Sequence, residues 1–161
     1  MNELPESCRA VQAFLQQHAP YAQIQILPAS TRTAQDAADA LHCNRAQIAK
    51  SIIFRALESD RHVLVITCGD NRVSESKVAV LIGENIGKAD AAFVRDKTGF
   101  VIGGVAPFAH RCEPIVLLDQ TSARFDRMWA AAGTPNSIVA INTADLIKLC
   151  NGQIADIAAS T

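Results

Sequence analysis

Residues 50–68 read KSIIFRALESDRHVLVITC. Two β-branched runs, KSIIFRAL (50–57) and HVLVITC (62–68), flank a polar, turn-like Glu58-Ser59-Asp60. Runs of that composition around a short polar break predict two strands joined as a hairpin. A hairpin makes successive strands antiparallel, whereas a doubly wound parallel sheet needs a crossover helix between each pair. The stretch therefore predicts an α+β fold with a mixed sheet flanked by helices.

Upstream, Glu6 to His18 carries Val11, Phe14 and Leu15 at helical spacing and predicts an amphipathic first helix, with Pro20 beyond its end. IQIL (24–27) predicts a short strand bounded by Pro28. Thr33 followed three residues later by Asp36 predicts a capping box that opens a helix toward Leu41, and Asn44 with Gln47 predicts a second, shorter capped turn. Downstream, Ser74 is expected to cap a helix to Ile82. Asp90 is expected to cap one through Lys97, stopped by Gly99. FVIG (100–103), PIVLLD (114–119) and SIVAIN (137–142) predict strands, and residues 122–132 fit helix or strand equally. Thr143 is expected to cap a final helix, ADLIKLC, with Asn151-Gly152 past its end.

A length of 161 residues predicts one domain, 1–161, large enough to bury a core without metal or disulfide staples. No apolar run reaches bilayer-spanning length, and MNELPESCRA lacks the basic and apolar regions of a signal peptide. A cytoplasmic protein without membrane partners is expected. Cys8, Cys43, Cys68, Cys112 and Cys150 are scattered, with no C-x-x-C pair and no zinc-site spacing beside His42 or His110; reduced thiols and no metal are expected. The formal net charge of −1 excludes a global basic field for nucleic acid, but a few placed cations can still grip phosphates.

Four segments can carry chemistry. Lys50 opens an apolar strand; most such lysines reach solvent, but a cation at a pocket mouth can hold a phosphate or polarise a carbonyl. Gly103-Gly104-Val105-Ala106-Pro107 interrupts an apolar stretch; it reads as a bulge or tight turn, or as bare backbone whose N–H groups donate to a ligand. Arg72 and Lys77 sit on a loop and helix start and can contact phosphates. Gly133-Thr134-Pro135-Asn136-Ser137 is turn chemistry that can also point a polar side chain into a cleft. His110 reads as a hydrogen-bonding residue rather than a base. Hydrolase, metalloprotease, Walker and dinucleotide motifs are absent from the sequence.

IAKSIIF (48–54), DNRVSESKV (70–78), TGFVIGGVAPFAH (98–110) and AAGTPNSIVAINTADLIKL (131–149), in that order and spacing, resemble the YbaK/ProX aminoacyl-tRNA editing domains, relatives of the editing insertion of bacterial prolyl-tRNA synthetases. The resemblance covers nearly the whole chain. It implies a mixed, partly barrel-like sheet flanked by helices, and hydrolysis of the ester between a wrong amino acid and a tRNA 3′ end. Lys50 matches the family's important lysine and Ser51 the small polar position beside it. Gly103 to Pro107 matches the G-x-x-x-P loop, whose backbone lies near the aminoacyl ester. The implied site is thus Lys50, Gly103 and Gly104 for catalysis, and Ser51, Arg72, Lys77, Val105, Ala106, Pro107, Phe108, Gly133 and Asn136 for binding. Some alanine-editing relatives carry a histidine where Asn136 stands here, which leaves the rejected amino acid open.

The implied activity is a free-standing aminoacyl-tRNA deacylase that uses oriented water and backbone polarisation, without cofactor or metal. Its partner is mischarged tRNA, of the tRNA-Pro kind or related, with a synthetase as a second partner and a monomer or weak homodimer as the assembly. The alternatives are a non-catalytic module that binds an aminoacyl-nucleotide or tRNA 3′ end, and a thiol redox protein acting through Cys68 or Cys112.

Overall fold

The computed structural model describes residues 4–160. Residues 1–3 and 161, part of the predicted 1–161 domain and of the stretch read for a targeting signal, lie outside the described residues.

Helix α1 (Glu6–His18) buries Cys8, Val11 and Leu15, one face at helical spacing. Helix α2 (Ala34–Leu41) starts at the predicted capping box: Thr33 Oγ1 accepts from the Asp36 N–H, and the Asp36 carboxylate accepts from the Thr33 N–H. A 3₁₀ turn at Arg45–Gln47 repeats this reciprocity through Asn44 and Gln47. Ser74 caps α3 (Glu75–Ile82) and Asp90 caps α4 (Ala91–Thr98); Gly83 and Gly99 end them in the left-handed region. Helix α5 (Thr143–Leu149) departs from expectation. Its N-cap is Asn142, and the Thr143 hydroxyl is buried without a partner among the described residues.

Among the described residues, eight strands form one mixed sheet: β1 (Ile24–Ile26), β2 (Ile48–Ala56), β3 (His62–Cys68), β4 (Ile86–Lys88), β5 (Ile115–Asp119), β6 (Arg127–Ala131), β7 (Ser137–Asn142) and β8 (Gln153–Ala155). The order is β1-β7-β6-β2-β3-β5-β8, an open path, with β4 paired to β2 off it. Strands β2 and β3 are the predicted antiparallel hairpin, while β2–β6, β3–β5 and β5–β8 are parallel. The ambiguous segment resolves as a second 3₁₀ turn (Gln120–Arg124) followed by β6. The three-residue strands β4 and β8 are too short for an alternation pattern and were not expected.

The predicted strand FVIG (100–103) is a loop. Phe100 is buried while Val101 and Ile102 are 37% and 58% exposed, so burial does not alternate. Gly103 turns the chain at φ +91°, and the Gly104 N–H closes that turn onto the Val101 carbonyl at 2.9 Å. The apolar run is divided between core and surface instead of lying on one sheet face.

The placement of β6 and β4 is what opens the site. Strand β3 occupies one edge of β2 from Ala49 to Arg55. On the other edge β6 pairs only at Ile48 and Ala49, and β4 only from Phe54 to Ala56. Lys50 to Ile53 therefore has no ladder partner there, and the sheet is notched at its longest strand.

Behind the notch, the buried Asp119 at the end of β5 accepts from Thr67 Oγ1 (3.3 Å), the Cys68 N–H (3.2 Å), Asn71 Nδ2 (2.8 Å) and the Thr121 N–H (2.9 Å). Burial alone would raise its carboxyl pKa, but these donors outweigh it and hold the group below the usual range. Asp119→Ala is expected to destabilise the fold by about 2–4 kcal/mol in chemical denaturation, since it strands several buried donors at once. With its pKa depressed in the native state, the carboxylate's contribution is present above the ordinary Asp range and disappears as pH falls through the folded value. The wild-type–variant difference should shrink accordingly at low pH.

Candidate functional site

A cavity of about 510 Å³ lies at the notch. Strand β2 supplies Ile48, Ala49, Lys50 and Ser51; Arg32 and Thr33 enter from the start of α2, and Arg45 from the first 3₁₀ turn. The loop after β3 gives Gly69, the glycine loop gives Gly103, and the turn before β7 gives Pro135, Asn136 and Ser137. Lys50 with Ser51, Gly103, and Asn136, three segments far apart in sequence, thus line one cavity.

Lys50 is half-buried. Its Nζ donates to the Asn71 carbonyl at 2.9 Å, and Asn71 is in turn held by Asp119 and Thr121. Burial lowers the Lys50 pKa, and the positive charge of Arg45 lowers it further; Asp70 and Cys68 pull the other way. Ser51 Oγ is buried and has no hydrogen-bond partner among the described residues. The Gly103 N–H likewise makes no hydrogen bond among them. Three cations, Arg32, Arg45 and Lys50, line the cavity, and among the described residues its lining holds no carboxylate, imidazole or thiol. The arrangement attracts an anion and can polarise a carbonyl, but offers no carboxylate or imidazole base from its walls.

Ser51 and Gly103 also border a second cavity of about 530 Å³, whose wall includes Ile53, Phe54, Val94, Ile102 and Val105. The two spaces meet at these two residues, so a cationic chamber adjoins a mainly apolar one whose wall also holds Glu75 and Lys88.

The glycines expected to act together differ. Gly103 is exposed, lines both cavities and has only Pro135 near a hypothetical Cβ, at 3.7 Å. Gly104 is buried, and a Cβ there would meet the Thr134 Cα and carbonyl carbon at 2.7 Å. Its missing side chain admits a neighbouring backbone. Gly133 behaves like Gly104: it has φ +119°, and a Cβ would strike the Ser7 carbonyl oxygen at 2.6 Å. Ser7 in α1, the 133–137 turn and the glycine loop are thus stacked backbone to backbone.

The other sequence-derived residues are dispersed. Val105 lines the apolar cavity. Ala106, Pro107 and Phe108 are buried, and Phe108 stacks on Phe14 of α1 at 4.7 Å. Asn136 spends its amide on the fold: Nδ2 donates to the Leu27 carbonyl at 2.8 Å and Oδ1 accepts from Thr134 Oγ1 at 3.2 Å. Lys77 pairs with Asp156 at 3.0 Å and with the Ala158 carbonyl at 2.7 Å, and does not line the cavity. Arg72 is exposed and outside the cavity wall. All five cysteines are free. Arg32 and Arg45 were missed in sequence. Each lies beside a predicted cap, and a cap that places a loop end at a cleft was the available signal.

A sequence profile of the aminoacyl-tRNA editing domain family matches residues 28–149. The uncharacterized protein YwhH of Bacillus subtilis is 30% identical over 125 residues, covering 78% of this chain and 79% of that one. A solved structure of a candidate trans-editing enzyme for prolyl tRNA synthetase superposes with a TM-score of 0.92 at 34% identity, covering 98% of this chain and all of that one. The proline–tRNA ligase of Lactobacillus helveticus is 30% identical over 102 residues, which are 63% of this chain and 18% of the ligase.

Substitution separates the two glycines. Gly104→Ala is expected to cost about 1–3 kcal/mol of stability, because the methyl meets backbone that cannot move aside. Gly103→Ala should retain the fold with a cost of about 1–2 kcal/mol for its left-handed backbone, and should weaken ligand binding instead. Thermal melts alongside ligand titrations distinguish the two effects.

Proposed function

The chain belongs to the aminoacyl-tRNA editing domain family, and we propose that it is a free-standing deacylase that hydrolyses the ester of a mischarged tRNA at the notch in its sheet. The observation that carries this reading is the convergence of Lys50, Ser51 and Gly103 on one cation-lined cavity. A tRNA 3′ end is a polyanion ending in an ester. Arg32, Arg45 and Lys50 meet the phosphates and terminal ribose; Ser51 Oγ and the Gly103 N–H, both uncommitted, meet the ester carbonyl.

The chemistry requires little more. Addition of water to the ester carbonyl puts negative charge on its oxygen. Preoriented donors and a nearby ammonium lower the barrier by stabilising that charge, and holding water and ester together removes much of the entropic cost. The attacking water must lose a proton. With no carboxylate or imidazole in the cavity wall, the vicinal ribose hydroxyl of the substrate relays it, taking the water's proton as it gives its own to the leaving ribose oxygen. Asn136, whose amide is already bonded at both ends, takes no part in proton transfer. The tRNA is of the tRNA-Pro kind, by analogy with the similar structure and ligase, and the reaction belongs in the cytoplasm, where tRNA is charged. No described helix is long and apolar enough to cross a membrane.

A deacylation panel over mischarged tRNAs tests the reading. Wild type should release at least one amino acid, and Lys50→Ala should slow release about 100-fold or more. A wild type that binds aminoacyl-tRNA but never accelerates hydrolysis would instead establish a binding module, which a cavity without a base also suits. A second measurement tests the cations. The affinity for deacylated tRNA should fall with salt, and Arg32→Ala and Arg45→Ala should each reduce the log–log slope by about 0.7, the single-strand value per phosphate contact. An unchanged slope in both would remove the arginines from the site.

A further inference from the structure

Two histidines, one buried and one half-buried, stand behind the glycine loop. His62 opens β3 and is 1% exposed. Its Nε2 lies 3.0 Å from His110 Nδ1, the two ring planes are within 19° of each other with centroids 5.3 Å apart, end to end, and His110 Nε2 lies 2.6 Å from the Ala106 carbonyl oxygen. Among the described residues this last contact is the one hydrogen bond made by the main chain of 105–109. The chain turns at Gly103 just before this segment, and Ala109, its last residue, sits at φ +62°.

The carbonyl dictates the proton positions. A carbonyl oxygen only accepts, so His110 must carry its proton on Nε2. In the neutral ring Nδ1 is then bare and accepts, so His62 must donate from Nε2. Both tautomers follow from one main-chain oxygen.

We propose that His62 and His110 are positioning residues, a fixed-tautomer relay that anchors the Ala106 carbonyl to β3 and so holds the Gly103–Pro107 loop against the Lys50 edge of β2. Neither ring lines the cavity, so they act through the loop. The relay requires His110 neutral, since a proton on its Nδ1 would face the His62 N–H; His62 itself donates from Nε2 in either charge state. The surroundings agree. His62 faces His110, with Lys97 of α4 and Arg61 as the charged groups that act on it. His110 faces the Phe100 ring edge and the Ala106 carbonyl. Burial, the facing ring and those two cations push His62 down to about 4, and burial lowers His110 despite its bond to Ala106.

The role in catalysis rests on the deacylase reading, but the anchoring does not, so two kinds of measurement separate them. Long-range ¹H–¹⁵N spectra of wild type near pH 7.5 should show both rings as Nε2–H tautomers. Amide exchange at 103–108 should be at least tenfold faster in His110→Phe and close to wild type in His110→Gln, whose side-chain amide can still donate to Ala106. On a cleaved mischarged tRNA, His110→Phe should lose about ten- to a hundredfold in kcat with KM little changed, and His110→Gln should restore most of it. An Nδ1–H tautomer at His110, or loop exchange in His110→Phe equal to wild type, overturns the relay. Faster exchange with unchanged kcat overturns its role in positioning. A wild type that cleaves no tRNA sinks the deacylase reading, and the tautomer and exchange results still decide the relay.

Discussion

One strand carries two incompatible neighbours, and the site exists because of it. Along a single edge of β2, β6 runs parallel at Ile48–Ala49 and β4 runs antiparallel at Phe54–Ala56. Two strands of opposite direction cannot continue toward each other along one edge without colliding, so a gap must separate them. Residues 50–53 fall in that gap, and both cavities open there. The other edge of β2 is paired to the buried strand β3 from Ala49 to Arg55, unbroken across the gap.

Three segments distant in sequence close around the gap, and in each a glycine lets another stretch of backbone approach closely. Gly104 admits Thr134, Gly133 admits Ser7, and Gly69 brings the β3 exit against the Arg45 carbonyl. Backbone in close contact has few ways to yield, so these glycines fix the cavity's dimensions more rigidly than packed apolar side chains would. Exposed Gly103 is the exception. Its left-handed φ turns the chain so that an uncommitted N–H is available at the junction of the two chambers.

The legible parts of the sequence were those with local chemical causes. Thr33-Asp36, Asn44-Gln47, Ser74 and Asp90 announce helix starts because a side chain next to the start satisfies an otherwise unpaired N–H. The 50–68 hairpin was legible because composition and turn agree. FVIG misled because apolar content alone does not specify alternation, and Gly103-Gly104 meant a turn. The gap in the β2 edge was invisible, since it depends on where β6 and β4 arrive from far along the chain. The convergence of Lys50 with the 103–107 loop was legible only through the family resemblance. No spacing or periodicity places those residues together, and Arg32 and Arg45 carried no mark beyond their neighbouring caps.

A cavity that is basic but lacks a proton acceptor narrows what it can catalyse. Stabilising negative charge helps any reaction that builds an oxyanion, yet without a base the nucleophile must be weakly demanding or bring its own acceptor. Amide and phosphodiester cleavage do neither. An aminoacyl ester on a ribose does both: its alkoxide leaving group is activated by the adjacent hydroxyl, and that same hydroxyl can relay the proton. The absence of a carboxylate or imidazole from the cavity wall is therefore a constraint on substrate class as much as on mechanism, and under the deacylase reading it favours esters of nucleosides over peptides.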